Sequence, residues 1–322
     1  MLTFANIRSR ILRLLDENVN TQAGTTSLVE DALNASHRRL LLSRSWPFLR
    51  WPKDQTFTTV AGTRVYALHP AVVKLKYLFD NASRLFLPLI SERQWEALGV
   101  DRVAEDIEPQ GAIYGGWWPV SAQPTAATTL RIVSSSTGDG AGETVILRGL
   151  NGSSDIVEET LTAAGTTQVT STTSFLHVLN VTKTGTWAGT MTLSTSGGTT
   201  MLTLLAAEDG KQYPTIEFLE TPPTARTYSY TFNRTPRTLS NDTDIPETPF
   251  PFSEIHVYDV LLDLTGYNSD TDAKHQRLWK SRYDELWKQL CEHTDEVILG
   301  SAPRFVRDIE GSRGRRPVQL SS

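Results

Sequence analysis

The spacing of apolar residues predicts two amphipathic helices at the start of the chain. The first, residues 4–17, carries a stripe of apolar side chains at steps of three and four: Phe4, Ile7, Ile11, Leu14 and Leu15. The second follows a polar turn and stops at Ser45-Trp46-Pro47, because proline disfavours a helical residue before it and cannot continue the ladder. A short connection between two such helices predicts an antiparallel helix hairpin.

The stretch 32–51 joins this helix pair to the rest of the chain. Phe48, Leu49 and Trp51 come directly after the proline, so an apolar hinge lies where a helix gives way to a strand. We predict that Trp46 and Phe48 are buried at this joint.

Beyond the joint the apolar spacing changes to two, which is typical of β-strands. A β-hairpin is predicted at residues 56–60 and 64–68, and two further strands at residues 72–79 and 85–89. A short helix at residues 92–98, capped by Ser91, completes a compact α+β unit.

The composition shifts at about residue 122. Thr, Ser, Gly and Val dominate, charges become sparse, and alternating runs recur at the spacing of a β-sandwich. Phe175, Leu176, Val178 and Trp187 supply a core, which argues against a low-complexity segment. Residues 122–206 are therefore predicted to be an inserted sandwich.

The chain then predicts a second hairpin, a proline-rich loop and two closing helices. The hairpin covers residues 215–219 and 227–232, and the helices cover residues 253–265 and 272–299. The longer helix has an apolar seam with alternating steps of four and three, typical of coiled coils: Trp279, Tyr283, Leu286, Leu290, His293 and Val297.

These elements predict an α+β fold with an α-helical bundle as its main body. The N-terminal helix hairpin and the two C-terminal helices form the bundle, small β-hairpins accompany it, and an all-β sandwich domain is inserted. Residues 1–121 and 207–300 would be the discontinuous core, residues 122–206 the insertion, and residues 301–322 a flexible basic arm.

Composition excludes several classes of protein. The 322 residues carry a net charge of −5, which argues against whole-surface wrapping of nucleic acid. Cys291 is the single cysteine, so an intramolecular disulfide is impossible and manufacture in a reducing cytoplasm is expected. The charged N-terminus fits neither a signal peptide nor a membrane span, so we expect no membrane association.

The sequence lacks the motifs of catalytic sites, and we therefore predict no enzyme, no metal centre and no cofactor. The six histidines are scattered without metal-ligand spacing, and neither a nucleophile elbow nor a phosphate loop is present. Two alternatives stay open. A calcium ion could bind an acidic loop, although a solvated loop is favoured: Asn241, Asp242, Asp244 and Glu247. Trp117, Trp118 and Trp187 could stack on sugars, although packing is favoured.

The order of these features resembles the head-to-tail adaptors of tailed bacteriophages, also called connectors or head-completion proteins, including the tail tubular protein A type. The resemblance rests on the helix pair ending in LLSRSWPF at residues 41–48, on AGTRVYAL at residues 61–68, and on the late hairpin leading into the closing helices. The insertion, with EETLT at residues 158–162, is similar to the Ig-like sandwiches of phage structural proteins.

The resemblance implies a structural virion protein rather than an enzyme. Such adaptors form a ring, usually of twelve subunits, under the portal, where they seal the DNA channel and dock the tail. The expected partners are further copies of the chain, the portal protein, and tail nozzle or tail-fibre proteins. Packaged DNA would pass through without sequence-specific binding. The expected location is the head–tail junction, after assembly in the host cytoplasm.

The resemblance also implies two sites. The seam of the long helix would pack between subunits, since a narrow seam gains most from neighbours on more than one side. The basic arm would bind the portal through these residues: Arg304, Phe305, Arg307, Arg313, Arg315 and Arg316. The alternative function is a phage or bacterial adhesin or carbohydrate-binding module carried by the sandwich.

Overall fold

The computed structural model describes residues 2–16, 25–51, 54–98, 108–265 and 273–300. The α-helices in these ranges are α1 Phe4–Asp16, α2 Thr25–Leu42, α3 Glu92–Leu98, α4 Ile255–Thr265 and α5 Ala273–Gly300. The strands are β1 Gln55–Thr58, β2 Val65–Ala67, β3 Val72–Asp80, β4 Leu85–Leu87, β5 Leu89–Ile90, β6 Ala112–Trp118, β7 Thr128–Ser134, β8 Thr144–Leu150, β9 Ile156–Thr162, β10 Val169–Phe175, β11 His177–Thr184, β12 Met191–Thr195, β13 Thr200–Leu204, β14 Tyr213–Phe218 and β15 Thr227–Arg234.

The chain divides into two compact units. Residues 1–50 and 235–322 form one, called here the helical unit, and residues 51–234 form the other, called the β unit. The helical unit contains α1, α2, α4 and α5, and the β unit contains every strand of the described residues together with α3.

The core of the helical unit forms where the stripes of four helices meet. Ile7 and Ile11 of α1 are fully buried, and so is Leu33 of α2. They share a cluster with Leu261 of α4 and Trp279 of α5. Helices this short gain most of their stability from such packing, so the apolar stripe rather than intrinsic propensity explains the unit.

The first backbone N–H groups of α1 are satisfied by the loop before α4. Phe4 donates to the carbonyl of Asp244 at 2.7 Å, and Ala5 donates to the carbonyl of Asp242 at 3.2 Å. Since the N–H groups of a first helical turn lack partners within the helix, this loop caps α1.

Two four-stranded sheets make up one part of the β unit. Their strand orders are β1-β15-β3-β4 and β2-β14-β6-β5. Both contribute to one aromatic-rich core, in which Phe218 of β14 and Tyr228 of β15 have ring centroids 4.9 Å apart. Ser91 caps the short α3, as predicted, and the structure adds a reciprocal bond that makes a capping box. Gln94 N–H donates to Ser91 Oγ, and Ser91 N–H donates to Gln94 Oε1.

The prediction of a helical bundle as the main body is wrong. Among the described residues, fifteen strands in four sheets outweigh five α-helices. The two predicted hairpins do not exist as hairpins: β1 pairs with β15, whereas β2 pairs with β14 in another sheet. Alternation identifies a strand and its buried face but not its partner. The strands predicted as two small hairpins therefore belong to two four-stranded sheets, in which they pair with strands distant in sequence.

The other two sheets enclose a core of their own. Their strand orders are β10-β7-β12-β13 and β11-β8-β9. Leu130, Leu147, Phe175 and Leu193 are fully buried in this core, and Trp187 lies at its margin with 5% of its surface exposed. That these strands form an Ig-like insertion with the predicted domain boundaries stays a prediction.

Gly149 of β8 provides a test of how tightly this core is closed. A Cβ at this position would lie 2.3 Å from the carbonyl oxygen of His177 and 2.8 Å from Cδ1 of Phe175. We expect Gly149→Ala to lower the free energy of unfolding by at least about 2 kcal/mol, because a backbone oxygen cannot move aside easily. Chemical denaturation followed by tryptophan fluorescence measures the change.

Gly140→Ala is the matched control for that experiment. No atom lies within 4 Å of a Cβ built at Gly140. The control should therefore leave the free energy of unfolding within about 0.5 kcal/mol of the wild-type value. Equal effects of the two substitutions would show that the contact at Gly149 relaxes without strain.

Candidate functional site

Residues 43–49, called here the Trp46 joint, follow α2 and are held within the helical unit by aromatic packing. The helix ends at Leu42, and a 3₁₀ turn over Pro47–Leu49 follows. Trp46 is fully buried, donates its indole N–H to the carbonyl of Leu40 at 3.0 Å, and packs edge-on against Trp287 of α5 with centroids 5.6 Å apart. The predicted burial of Trp46 is confirmed, while Phe48 is only half-buried.

The predicted seam of α5 packs largely against its own unit. Trp279 is 4% exposed among α1, α2 and α4, and Leu290 is fully buried beside the Trp46 joint. Tyr283 and Leu286 are half-buried against the same joint, and His293 is exposed. The side chain of Val297 lies outside the described residues. The role of the seam between subunits stays a prediction.

The other predicted site, the basic arm, lies outside the described residues: Arg304, Phe305, Arg307, Arg313, Arg315 and Arg316. Its role in binding the portal likewise stays a prediction.

A buried polar cluster lies between α2 and α4. It was not predicted, because the histidines are scattered along the sequence. His256 is fully buried, with Nε2 2.7 Å from Thr248 Oγ1 and Nδ1 3.3 Å from Ser36 Oγ. His37 lies beside it, with ring centroids 5.3 Å apart. Burial, with a smaller contribution from His37, lowers the pKa of His256 to about 3. The imidazole is therefore neutral at physiological pH.

This cluster contains a Ser–His contact but offers no access to a substrate. Ser36 is fully buried, and His37 is 1% exposed. The cluster therefore serves as satisfied polar packing between two helices, since buried polar groups are stable only when hydrogen-bonded. That the chain is not an enzyme stays a prediction.

Ion pairs brace the surface above the same cluster. Arg39 of α2 donates to Asp259 at 2.6 Å and to Asp263 at 2.7 Å, both on α4. Arg44 pairs with Asp295 of α5 at 2.6 Å. The pairs of Arg39 with Asp263 and of Arg44 with Asp295 are exposed or half-exposed, so each is worth little in stability, whereas Asp259 is buried.

The acidic loop considered for calcium already has protein partners. The carboxylate of Asp244 accepts from the N–H groups of Asn241 and Ser240, and these bonds lower its pKa. Asp242 pairs with Arg8 at 2.9 Å, and Glu247 accepts from the N–H of Arg237. Within the described ranges, no three or more His, Cys, Asp or Glu side chains are placed to hold a metal ion. The backbone carbonyls of Asp242 and Asp244 cap α1, while their carboxylates bind other groups of the protein.

The three tryptophans considered for sugar stacking have different surroundings. Trp187 is buried, with its indole N–H donating to the carbonyl of Thr184, and Trp118 lies edge-on to His177. Trp117 is 57% exposed beside a hollow of about 420 Å³. Trp118 lines the same hollow, so a sugar site would have to rely on Trp117 and Trp118 rather than on Trp187.

An exposed apolar surface lies on the ribbon formed by β3 and β4, residues 72–87, called here the β3–β4 ribbon. Leu85 and Phe86 are 65% and 66% exposed. Both strands were predicted from the sequence, but no site was predicted in them. A signal existed, because the run Leu85-Phe86-Leu87 breaks the alternation that a strand with one solvated face should show.

Comparisons with known proteins bear on the first part of the chain. Over the described ranges, no helix has the length and apolarity that a bilayer span requires. No curated protein matches the chain. Residues 2–137 match the family described as SU10 adaptor protein, and this stretch includes the helix pair, the Trp46 joint and the β3–β4 ribbon. The match supports the assignment of the chain as a bacteriophage head-to-tail adaptor, a structural component of the virion.

Proposed function

We propose that the chain assembles into a ring beneath the portal, where it seals the DNA channel and docks the tail. The observation that carries the proposal is the match of residues 2–137 to the SU10 adaptor family. The ring would contain twelve copies, and packaged DNA would pass through it without sequence-specific contacts.

A mechanical role is supported by the construction of the helical unit. Its four helices share one continuous core, and the Trp46 joint adds a second cluster that fastens α5 to the end of α2. A subunit that holds a pressurised channel closed has to keep its shape under load, and close packing gives a protein interior low compressibility.

The basic arm would make the contact with the portal. It carries five arginines against Asp308 and Glu310 between residues 301 and 322. Arginine side chains form strong paired hydrogen bonds with carboxylates and phosphates, so this segment suits an acidic or phosphate-bearing surface. The closing helices would place this arm at one end of the ring.

Electron microscopy and native mass spectrometry of the full-length chain with the portal protein of the same phage test this function. Twelve copies of the 35.8 kDa chain would add about 430 kDa to the portal. A chain truncated after Gly300 serves as the second sample. We expect a ring on the portal with the full chain, and at least about tenfold weaker association for the truncated chain.

The outcomes separate the parts of the proposal. A full-length chain that stays monomeric and never associates with portal rings at high concentration would contradict the ring. Equal binding by the truncated chain would contradict only the role of the arm.

A further inference from the structure

The most exposed large apolar side chains of the described residues are neighbours in sequence. Phe86 is 66% exposed and Leu85 is 65% exposed, and both lie on β4, an edge strand. Successive side chains of a strand point to opposite faces, so this corner of the sheet is open on both sides. Exposed apolar residues that cluster, unlike isolated ones, mark interaction sites.

Phe86 belongs to an aromatic cluster on the outer face of the sheet. Its ring centroid lies 5.1 Å from that of Phe79, its cross-strand partner, and 5.3 Å from that of Tyr77. Phe79 faces Ser229 of β15, which in turn faces Thr56 of β1, so this row of side chains continues across the sheet with polar residues. The outer face is therefore polar on β1 and β15 and aromatic on β3 and β4, which confines the apolar surface to the β3–β4 ribbon.

The tip of the ribbon is held in place by the Asp80 side chain. Its carboxylate accepts from the N–H of Ala82 and the hydroxyl of Ser83, both at 2.8 Å, and pairs with Arg226 at 3.0 Å. Arg84 completes the turn with a φ of 60°. Since ordering a surface opposes binding, a turn fixed in advance favours association.

The charges of the ribbon differ in sign from those of the chain as a whole. Lys74 and Arg84 are exposed on it, and its one carboxylate, Asp80, is buried and paired with Arg226. The whole chain carries a net charge of −5. A basic, aromatic patch is therefore complementary in charge to the remaining surface of another copy of the same chain.

We propose that the β3–β4 ribbon is the surface through which one copy of the chain binds the next copy in the ring. The inference rests on the proposed function. The contact would be heterologous, ribbon against a different, acidic surface of the neighbour, which is the geometry that closes a ring.

Titration of the full-length chain onto the portal protein of the same phage tests the inference, with native mass spectrometry counting the bound copies. The variant is Phe86→Ser, and the matched control is Ile156→Ser, which changes a side chain 62% exposed on β9. We expect wild type and control to fill the portal cooperatively. Phe86→Ser should bind the first copy normally but need at least about tenfold more protein to complete the ring.

A second variant tests the charges while leaving the aromatic cluster intact. Lys74→Glu should also impair completion of the ring, and the impairment should shrink at high salt because screening weakens exposed charge pairs. Thermal unfolding, followed by circular dichroism, should match wild type for Lys74→Glu, since Lys74 is exposed. Phe86→Ser loses its ring contacts with Phe79 and Tyr77 and should unfold within about 4 °C of wild type.

The other possible results of the titration contradict different parts of the inference. If Phe86→Ser completes rings at wild-type concentrations, the ribbon is not the contact between copies, while the proposed function stands. If the variant weakens binding of the first copy without loss of cooperativity, the ribbon faces the portal and the inference is wrong. If the wild-type chain never binds the portal or itself, the inference and the proposed function both fail.

Discussion

Trp46→Ala is expected to lower the free energy of unfolding of the helical unit by about 3–5 kcal/mol. The side chain is fully buried, stacks on Phe48 with centroids 5.5 Å apart and meets Trp287 edge-on. Its removal leaves a cavity between α2 and α5 and deletes the hydrogen bond from the indole to the carbonyl of Leu40, which keeps the Ser43 hydroxyl as a donor. Urea denaturation followed by the helical circular dichroism signal gives the change.

The control is Trp117→Ala, which removes a tryptophan that is 57% exposed in the β unit. It should change the free energy of unfolding by less than about 1 kcal/mol, since surface substitutions away from special features have small effects. A loss below about 1 kcal/mol for Trp46→Ala would mean that α5 is fastened to the unit elsewhere.

Acid is expected to destabilise the helical unit through His256 by on the order of 4 kcal/mol. Burial lowers the pKa of this imidazole to about 3 in the folded chain, whereas an unfolded histidine titrates near 6.5. Between these two pKa values, His256 binds a proton in the unfolded chain but not in the folded chain. The contribution of the neutral His256 to the free energy of unfolding is therefore fully present above pH 6.5 and is lost as the pH falls toward 3.

The measurement is the free energy of unfolding at several pH values for wild type and His256→Gln. Between pH 6 and 4, the wild-type value should fall more steeply than that of the variant, by up to about 1.4 kcal/mol per pH unit. Identical slopes for wild type and His256→Gln would show that the buried imidazole does not control acid unfolding.

The helices could be predicted from the sequence because their signals are local. Apolar stripes, a proline stop after Trp46 and a helix cap at Ser91 each act within a few residues, and α1, α2 and α3 form close to where these signals place them. The strands were also recognisable from alternation. The partner of each strand could not be recognised. For example, β1 pairs with β15 although most of the β unit lies between them in sequence, and no local rule specifies that pairing.

The candidate sites show the same division between local and long-range information. Periodicity identified Trp279 and Leu290 as apolar positions of one seam, but only the fold shows that they pack against α1, α2 and the Trp46 joint. The meeting of His37 with His256 depends on how α2 packs on α4, which single-sequence periodicity does not encode. The exposure of Phe86 depends on β4 lying at the edge of its sheet.

The interior positions of β14 and β15 determine the order in which the chain can fold. Each is an inner strand of a four-stranded sheet, yet both come after residue 212. The stretch 2–137 that matches the adaptor family therefore lacks two strands that its own sheets require. During synthesis, β1 and β2 have to wait for them, because β15 and β14 are their neighbours in the two sheets, and the entropy of closing so long a loop opposes this pairing. The intervening strands, β7 to β13, have their own core, so their earlier collapse would shorten the loop that remains to be closed.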